Sequence, residues 1–374
     1  MIPSQRARFD IPREVAYLNC AYMSPLMHSV VAAGSAGLSR KARPWQIVAP
    51  DFFDGPETAR ALFARIVGST PEAVAVLPSA SYGLAVAAAN VPLTAGKRVI
   101  VAADQFPSNR HVWAKSASAA QAALVAVDGP DLTEAFLAAI DANTKIVACA
   151  QCRWTDGALI DLVRVSKACK AVGAALVLDL TQSAGVLPVD LGAIDPDFAV
   201  AASYKWLLGP YSLAFMHVAA RHRAGRPLEE GWMNRDGAED FARLIDYTEA
   251  YRPGARRYDM GEVANFSALP AANAAMRQVL DWGVAEIAKT LTQRTAEIAE
   301  RADALGLHEA ASGPRAGHFL GLTRKEGLPS GLPERLARTH VYVSQRGDSL
   351  RITPHLWVDD ADVDRLFAAL STQL

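Results

Sequence analysis

Short apolar runs alternate with amphipathic stretches between about residues 70 and 220. Amphipathic stretches such as Leu132–Ile140 and Leu162–Val172 separate most of these runs. Alternation of this kind predicts a mainly parallel sheet covered by helices on both faces. A further run, Leu213–Val218, follows a turn too short for a crossover helix and should pair antiparallel. The other apolar runs are too short for surface helices and are interpreted as buried strands: Ala73–Leu77, Arg98–Ala103, Ala123–Val127, Lys145–Ala150, Ala174–Asp179 and Phe198–Ser203.

The pattern changes after residue 220. Residues 221–257 are rich in charge, Gly and Pro, which is typical of a connecting segment, whereas Ser267–Gly306 predicts two long helices broken near residue 282. Short strands and helices then alternate to the C-terminus: Gly317–Leu322, Pro333–Thr339, Val341–Ser344, Ser349–Ile352 and Ala361–Leu370. We therefore expect an α/β fold with a large domain of residues 21–260 and a smaller α+β domain of residues 261–374. The N-terminal segment, residues 1–20, should pack on the smaller domain.

Composition narrows the class of protein. Of the 374 residues 51% are hydrophobic and 21% charged, which is ordinary for a globular protein, and the net charge is −1. Lys and Arg are scattered, which argues against nucleic acid or an anionic membrane as the main partner. No apolar run reaches the ~18–20 residues of a membrane span, and the N-terminus does not resemble a signal peptide, so we expect a cytoplasmic protein.

Four cysteines are too few for a disulfide scaffold of this size. Cys149 and Cys152 form a CxxC pair, but redox pairs of this type lie at a helix N-terminus, where the dipole lowers the thiol pKa. Here the pair lies in an apolar strand running into a loop, without a second CxxC or a His pair to complete a zinc site. We expect unpaired thiols.

Ligands of open α/β sheets bind outside the carboxyl ends of the strands, so the residues found there carry the functional prediction. Ser79-Ala80-Ser81 precedes a predicted helix, whose N-terminus favours phosphate, and Phe106, Asp179 and Lys205 follow or end other strands. Each of these features has an ordinary alternative when taken alone. The serine segment could simply cap the helix, and the Phe106 ring could belong to the core. The Asp179 carboxylate could be a cap, and the Lys205 amine could lie on the surface. Together they match the needs of pyridoxal 5′-phosphate (PLP), with Asp179 keeping the pyridine nitrogen protonated.

At two of these strand ends the sequence resembles the class V aminotransferase family of fold type I PLP enzymes. The segments are Leu178-Asp179-Leu180-Thr181-Gln182-Ser183-Ala184-Gly185 and Ser203-Tyr204-Lys205-Trp206-Leu207-Leu208-Gly209-Pro210. Tyr17–Leu26 is similar to the family's N-terminal active-site segment and Asp348–His355 to its C-terminal anchor. The resemblance covers nearly the whole chain and implies a seven-stranded sheet and a homodimer with active sites at the subunit interface.

The resemblance also implies individual roles. Lys205 would carry PLP as a Schiff base and act as acid and base at the substrate Cα, while Asp179 would pair with the pyridinium nitrogen. Gln182, where desulfurases and kynureninases often carry His, would bond the phenolic oxygen. Arg351 would bind the substrate carboxylate and Asn19 would also contact the substrate. Further cofactor contacts are implied for Ala80, Ser81, Phe106, Asn109, Ser203, Tyr204, Trp232 and Asn265, with Asn109 replacing the acid of the kynureninase Phe-Pro-Ser-Asp loop.

The reaction is less constrained than the cofactor. Desulfurases use a loop cysteine, but the comparable segment Arg315–Gly321 has none and all four cysteines precede residue 170, which disfavours that route. Three interpretations remain. Transamination of an amino acid or amine is the default for an intact Asp/Lys/Arg set, and a lyase or hydrolase that cleaves C–C or C–S bonds is the alternative. A non-catalytic relative is disfavoured by the intact Lys205 and Asp179.

Overall fold

A computed structural model describes residues 1–374 as eleven helices and three sheets. The helices are α1 His28–Arg40, α2 Ala49–Ile66, α3 Ala80–Asn90, α4 Pro107–Ala119, α5 Leu132–Ala139, α6 Leu162–Val172, α7 Leu191–Ile194, α8 Ala268–Trp282, α9 Val284–Asp303, α10 Leu332–Ala337 and α11 Asp360–Gln373. The strands are β1 Ala16–Tyr17, β2 Val74–Leu77, β3 Arg98–Ala102, β4 Ala123–Val127, β5 Thr144–Ala150, β6 Ala175–Asp179, β7 Phe198–Ala202, β8 Ala214–Val218, β9 Leu307–Glu309, β10 Leu320–Arg324, β11 Val341–Tyr342, β12 Ser344–Arg346 and β13 Ser349–Ile352.

The seven-stranded sheet has the order β2-β8-β7-β6-β5-β3-β4. Strands β3 to β7 pair in parallel, and β8 pairs antiparallel with both β7 and β2. The predicted α/β class, the six strands and the antiparallel seventh are therefore confirmed. Because β2 and β7 both pair antiparallel with β8, β2 runs in the same direction as β7 and β8 runs in the opposite one. The segments after β2 and before β8 therefore lie at the same end of the sheet as the carboxyl ends of β3 and β5 to β7.

Helices cover both faces of this sheet, and alternate strand residues enter different cores. Val74 and Val76 of β2 join a large core shared with α2 and α8, whereas Ala75 and Leu77 join a smaller core beneath α3 and α4. Strands buried on both faces are continuously apolar, which is why their sequences showed runs and no alternation.

The N-terminal region contains two helices that the sequence pattern does not predict. The structure forms α1 and α2 there. Weak helix formers obscure both: Gly37 in α1, and Gly55 and Pro56 in α2. Gly37 is required by packing, because a Cβ at that position would lie 1.8 Å from the Phe266 carbonyl oxygen just before α8.

The C-terminal half contains a four-stranded antiparallel sheet of order β12-β13-β10-β9. Helices α8 and α9 are separated at Gly283, which has a φ of +79°, as the predicted break requires. The N-terminal strand β1 pairs in parallel with β11, and Asn19 forms a bridge with Thr353. No helix is both long and apolar enough to cross a membrane. The proposed domain boundaries stay predictions.

Candidate active site

A cavity of about 280 Å³ opens at the carboxyl ends of the parallel strands. Its walls come from the segments that follow β2, β3, β5, β6 and β7 and precede β8, which is where an open α/β sheet places its ligand. The structure brings seven of the predicted cofactor-binding residues to this cavity: Ala80, Ser81, Phe106, Asp179, Gln182, Tyr204 and Lys205.

Lys205 is the central cation of the cavity. Lys205 is only 6% exposed, and its Nζ has no hydrogen-bond acceptor in the protein. Nζ lies 5.5 Å from the ring centre of Phe106 and 5.7 Å from that of Tyr204. Burial is the main cause that lowers the pKa of Lys205 to about 8, so the amine is partly neutral near physiological pH.

Asp179 ends β6 and is the other charged residue that lines the cavity. One carboxylate oxygen, Oδ1, accepts a hydrogen bond from the Thr181 N–H at 3.0 Å, and no protein donor is bonded to Oδ2. The carboxylate raises the pKa of Lys205 and thus opposes the effect of burial. The buried carboxylate thus has one oxygen without a protein partner, and this oxygen can accept a hydrogen bond from a protonated pyridine nitrogen in the cavity.

The N-terminus of α3 forms an anion cradle on the wall of the cavity. Ser79 caps the helix by accepting the Tyr82 N–H at 3.1 Å, and its hydroxyl lies 2.9 Å from that of Ser81. The N–H groups of Ala80 and Ser81 have no protein acceptor, as expected for a first helical turn. Gly83 lets this helix end approach the sheet, because a Cβ there would lie 2.6 Å from Val200. The cradle fits a phosphate on a helix N-terminus.

Gln182 reaches the cavity with a fixed amide orientation. Its Oε1 accepts the indole N–H of Trp206 at 2.8 Å, and its Nε2 donates to the Ala21 carbonyl at 3.1 Å. Because an indole N–H is only a donor, Oε1 must face Trp206. The second N–H of Nε2 is left free to donate to a ligand, so Gln182 can donate a hydrogen bond to a phenolic oxygen but cannot protonate it.

The N-terminal segment connects this region to the C-terminal sheet. The Ser24 N–H donates to the Tyr204 carbonyl at 3.0 Å, and the Cys20 N–H donates to the Thr353 carbonyl at 3.0 Å. The predicted N-terminal and C-terminal active-site segments therefore meet beside Lys205.

Arg351 lies next to the cavity, behind the wall formed by Trp154. Its Nε and Nη2 donate to the Ser344 hydroxyl at 3.0 and 2.7 Å, and Nη1 donates to the Trp154 carbonyl at 2.9 Å. Ser344 donates in turn to Asn19 Oδ1 at 2.8 Å. No carboxylate pairs with Arg351, and burial is the main cause that lowers its pKa to about 9, with Arg346 adding to it. A buried guanidinium held only by neutral groups is suited to an incoming carboxylate.

Four predicted cofactor residues do not line the cavity of this chain. Asn109 and Ser203 are fully buried behind it; Asn109 Oδ1 accepts the Trp113 indole N–H, and the Ser203 hydroxyl has no partner. Trp232 and Asn265 lie together in a separate surface depression beside α1 and α2, where Asn265 caps α8. Their cofactor contacts stay predictions.

Sequence reasoning missed other residues of the cavity wall. Trp154 packs edge-on against Phe106 with ring centres 5.3 Å apart, and its indole N–H donates to the Asp104 carbonyl at 2.6 Å. Cys152, whose thiol pKa is raised by burial, lines the same wall. Both follow β5, so extending the search to that strand end would have found them.

Comparison with known proteins agrees with this geometry. The family model for class V aminotransferases matches residues 37–349. The chain is 26% identical to YcbU, an uncharacterized aminotransferase of Bacillus subtilis, over 89% of this chain and 91% of that protein. It is 32% identical to the kynureninase of Deinococcus radiodurans over 72% of this chain and 67% of that one. The cystine C–S lyase C-DES, in complex with cysteine persulfide, superposes with a TM-score of 0.86 at 16% identity, covering 96% and 98% of the two chains.

The chain therefore belongs to the class V aminotransferase family of PLP-dependent enzymes, and the predicted fold and cofactor are confirmed.

Proposed function

We propose that this class V enzyme is a transaminase of an amino acid or related amine, with PLP held covalently by Lys205. The observation that carries the proposal is the unpaired Lys205 amine facing Asp179 in one cavity beside an anion cradle. PLP, when bound, supplies an electron sink for charge that develops at the substrate Cα. Asp179 would hold the ring nitrogen, Gln182 the phenolic oxygen, and Ala80 and Ser81 the phosphate.

Lys205 would also move the proton at the substrate Cα. General acid–base catalysis is most effective when the pKa of the group lies near the working pH, and the pKa of Lys205 is lowered to about 8. Arg351 donates three of its five N–H groups to Ser344 and Trp154, so two remain free for a ligand. These two would orient the substrate through its carboxylate. Asn19 would contribute to substrate binding by accepting the hydrogen bond of the Ser344 hydroxyl, which in turn holds Arg351.

Transamination needs no further protein nucleophile, and the structure supports this choice over desulfuration. The segment from 315 to 321, where desulfurases place a mobile cysteine loop, is packed: His318 Nε2 lies 2.7 Å from the Gln182 carbonyl, and Phe319 is fully buried. It runs directly into β10. A packed segment without cysteine does not deliver a nucleophile to the cavity.

A kynureninase-like lyase or hydrolase is the second candidate. Its support is the 32% identity to a kynureninase and the Phe106-Pro107-Ser108-Asn109 loop at the cavity. Asn109 weakens it, because the side chain is buried against Trp113 where kynureninases carry an acid. The two candidates differ in what they do to the cofactor.

A single-turnover experiment separates them. Purified enzyme should be yellow, should lose its visible band on borohydride treatment, and should carry the reduced label on Lys205. An amino donor without any acceptor should convert the cofactor to its pyridoxamine form if the enzyme is a transaminase. A lyase or hydrolase would regenerate PLP while releasing pyruvate, alanine or a thiol. Full activity of Lys205→Ala would refute both.

We further propose a cytoplasmic homodimer. An exposed aromatic surface around Trp232, Phe52 and Phe241, with Tyr247 93% exposed in the same loop, supports a protein partner on this side. A second copy would bring Trp232 and Asn265 toward the neighbouring site. Light scattering of the purified holoenzyme checks the dimer, and a monomer with full cofactor occupancy would contradict it.

A further inference from the structure

We propose that the site selects amino donors with a second anionic group at the end of the side chain, and that Arg346 binds this group. The inference rests on the proposed transaminase function, since it names the class of donor. Arg351 would take the α-carboxylate, and Arg346 the carboxylate of an acidic side chain or an equivalent oxyanion.

The two arginines share one face of a β-hairpin. Strands β12 and β13 pair antiparallel, with Ser344 opposite Arg351 and Arg346 opposite Ser349. Residues two apart on a strand point to the same side, so Ser344, Arg346 and Arg351 face the same way, with the arginines as diagonal neighbours. The hydrogen bonds from Arg351 to the Ser344 hydroxyl agree with this arrangement.

That face points at the wall of the cavity. The guanidinium carbons of Arg346 and Arg351 lie 5.8 and 5.9 Å from the ring centre of Trp154, which lines the cavity. The two guanidiniums are therefore no more than about 12 Å apart. Two charge-assisted pairs with N–O distances of about 2.8 Å, joined by a short carbon chain, can span such a gap.

Neither guanidinium has an acidic partner in the protein. Arg346 donates from Nη1 to the neighbouring Gln345 carbonyl at 2.7 Å, and its guanidinium has no carboxylate within 4 Å. Arg346 lines a surface depression outside the cofactor cavity together with Asn19 and Glu334, and the Glu334 carboxylate lies beyond 4 Å from it. By contrast Arg153, next to Trp154 in the sequence, is paired with Asp156.

This charge arrangement favours a dianionic ligand. Two like charges near each other are electrostatically unfavourable, and Arg346 lowers the pKa of both Arg351 and Lys205. The α-carboxylate of an amino acid with a neutral side chain offsets the charge of Arg351 alone. An acidic amino acid has a second carboxylate, which offsets the charge of Arg346 as well. We expect at least about a tenfold preference, which is what one charge-assisted hydrogen-bonded pair provides.

The test compares acids with their neutral isosteres on the holoenzyme. Single-turnover loss of the visible cofactor band is measured with aspartate against asparagine and with glutamate against glutamine. Arg346→Gln is the test variant. Arg338→Gln is the matched control, because Arg338 is exposed and makes no hydrogen bond or ion pair. Binding of succinate against succinamate, read from the shift of the same band, reports on the anion site without turnover.

The wild type and Arg338→Gln should prefer each acid to its amide by tenfold or more in the apparent second-order rate constant of band loss, and in Arg346→Gln this ratio should fall toward one. Equal reaction of acids and amides in the wild type, or an unchanged ratio in Arg346→Gln, would overturn the inference and leave transamination intact. If no amino acid converts the cofactor, transamination fails. The inference then stands only if succinate binds more tightly than succinamate and Arg346→Gln removes the difference.

Discussion

The Lys205 amine should capture PLP with a pH dependence set by its surroundings. Its pKa is lowered from 10.5 to about 8, mainly by burial, with Arg351 and Arg346 acting in the same direction and Asp179 opposing them. Only the neutral amine attacks an aldehyde. At pH 7.5 an amine with a pKa of about 8 is roughly one quarter neutral, against about one part in a thousand for a pKa of 10.5.

The assay follows covalent capture by the apoprotein. Apoprotein is mixed with PLP between pH 6 and 10, quenched with borohydride at short times, and digested so that labelled peptides are quantified by mass spectrometry. The rate at Lys205 should rise about tenfold per pH unit and level off above pH 8. N-acetyl-lysine in the same buffers corrects for ionisation of PLP itself, and exposed Lys325 is an internal reference.

Two substitutions should move the midpoint in opposite directions. Asp179→Asn removes the carboxylate that raises the Lys205 pKa, so its midpoint should fall, whereas Arg346→Gln removes a cation that lowers the pKa, so its midpoint should rise. The comparison uses midpoints and not absolute rates, because Asp179 also contributes to affinity for the cofactor. A wild-type rate that keeps climbing to pH 10 would refute a lowered pKa, and parallel shifts in the two variants would refute its electrostatic origin.

Further predictions concern stability and the cradle. Asp259→Asn should lower the free energy of unfolding by about 3 kcal/mol, because the fully buried Arg60 keeps only the partly exposed Glu57 as a carboxylate partner. An unchanged urea midpoint would contradict this. Burial lowers the His355 pKa to about 3, so the unfolded chain binds more protons and stability falls as the pH drops below 6.5. His355→Phe should recover about 3 kcal/mol of this loss at pH 4.5, and equal pH slopes of stability in the two proteins would argue against it. Gly83→Ala should weaken PLP binding at least about tenfold in titrations, because its Cβ displaces α3. Gly55→Ala should not, because its Cβ would meet Leu269 only at an ordinary contact distance of 3.7 Å. Similar binding constants for the two variants would be inconsistent with this role of Gly83.

The strands could be predicted because burial on both faces of the sheet leaves a strong signal. Each strand of the large sheet is almost entirely apolar, and the turn before Leu213 is too short for a parallel connection. The missed helices α1 and α2 show the limit of this reasoning. Their glycines and proline lower helix propensity, and the contacts that stabilise them come from α8, more than 200 residues further along the chain.

The same contrast applies to the candidate site. Asp179 and Lys205 could be predicted because each ends or follows a strand that the sequence reveals, and the topology then forces them together. The amide orientation of Gln182 could not, because it depends on Trp206 and Ala21, which approach from two other segments. Arg346 carries no local signal either, since its position near Trp154 results from the pairing of a hairpin in another sheet.

This division explains why the cofactor is easier to infer than the substrate. The groups suited to PLP come from strand ends of one parallel sheet, whose register fixes their spacing and tolerates little change. The groups suited to the substrate, Ser344, Arg346 and Arg351, come from an antiparallel hairpin joined by a two-residue turn. Substitutions on one face of that hairpin can alter the charge presented at Trp154 without moving Lys205 or Asp179. Family members can therefore share one cofactor site and differ in substrate, so the hairpin residues from 344 to 351 are where specificity should be sought.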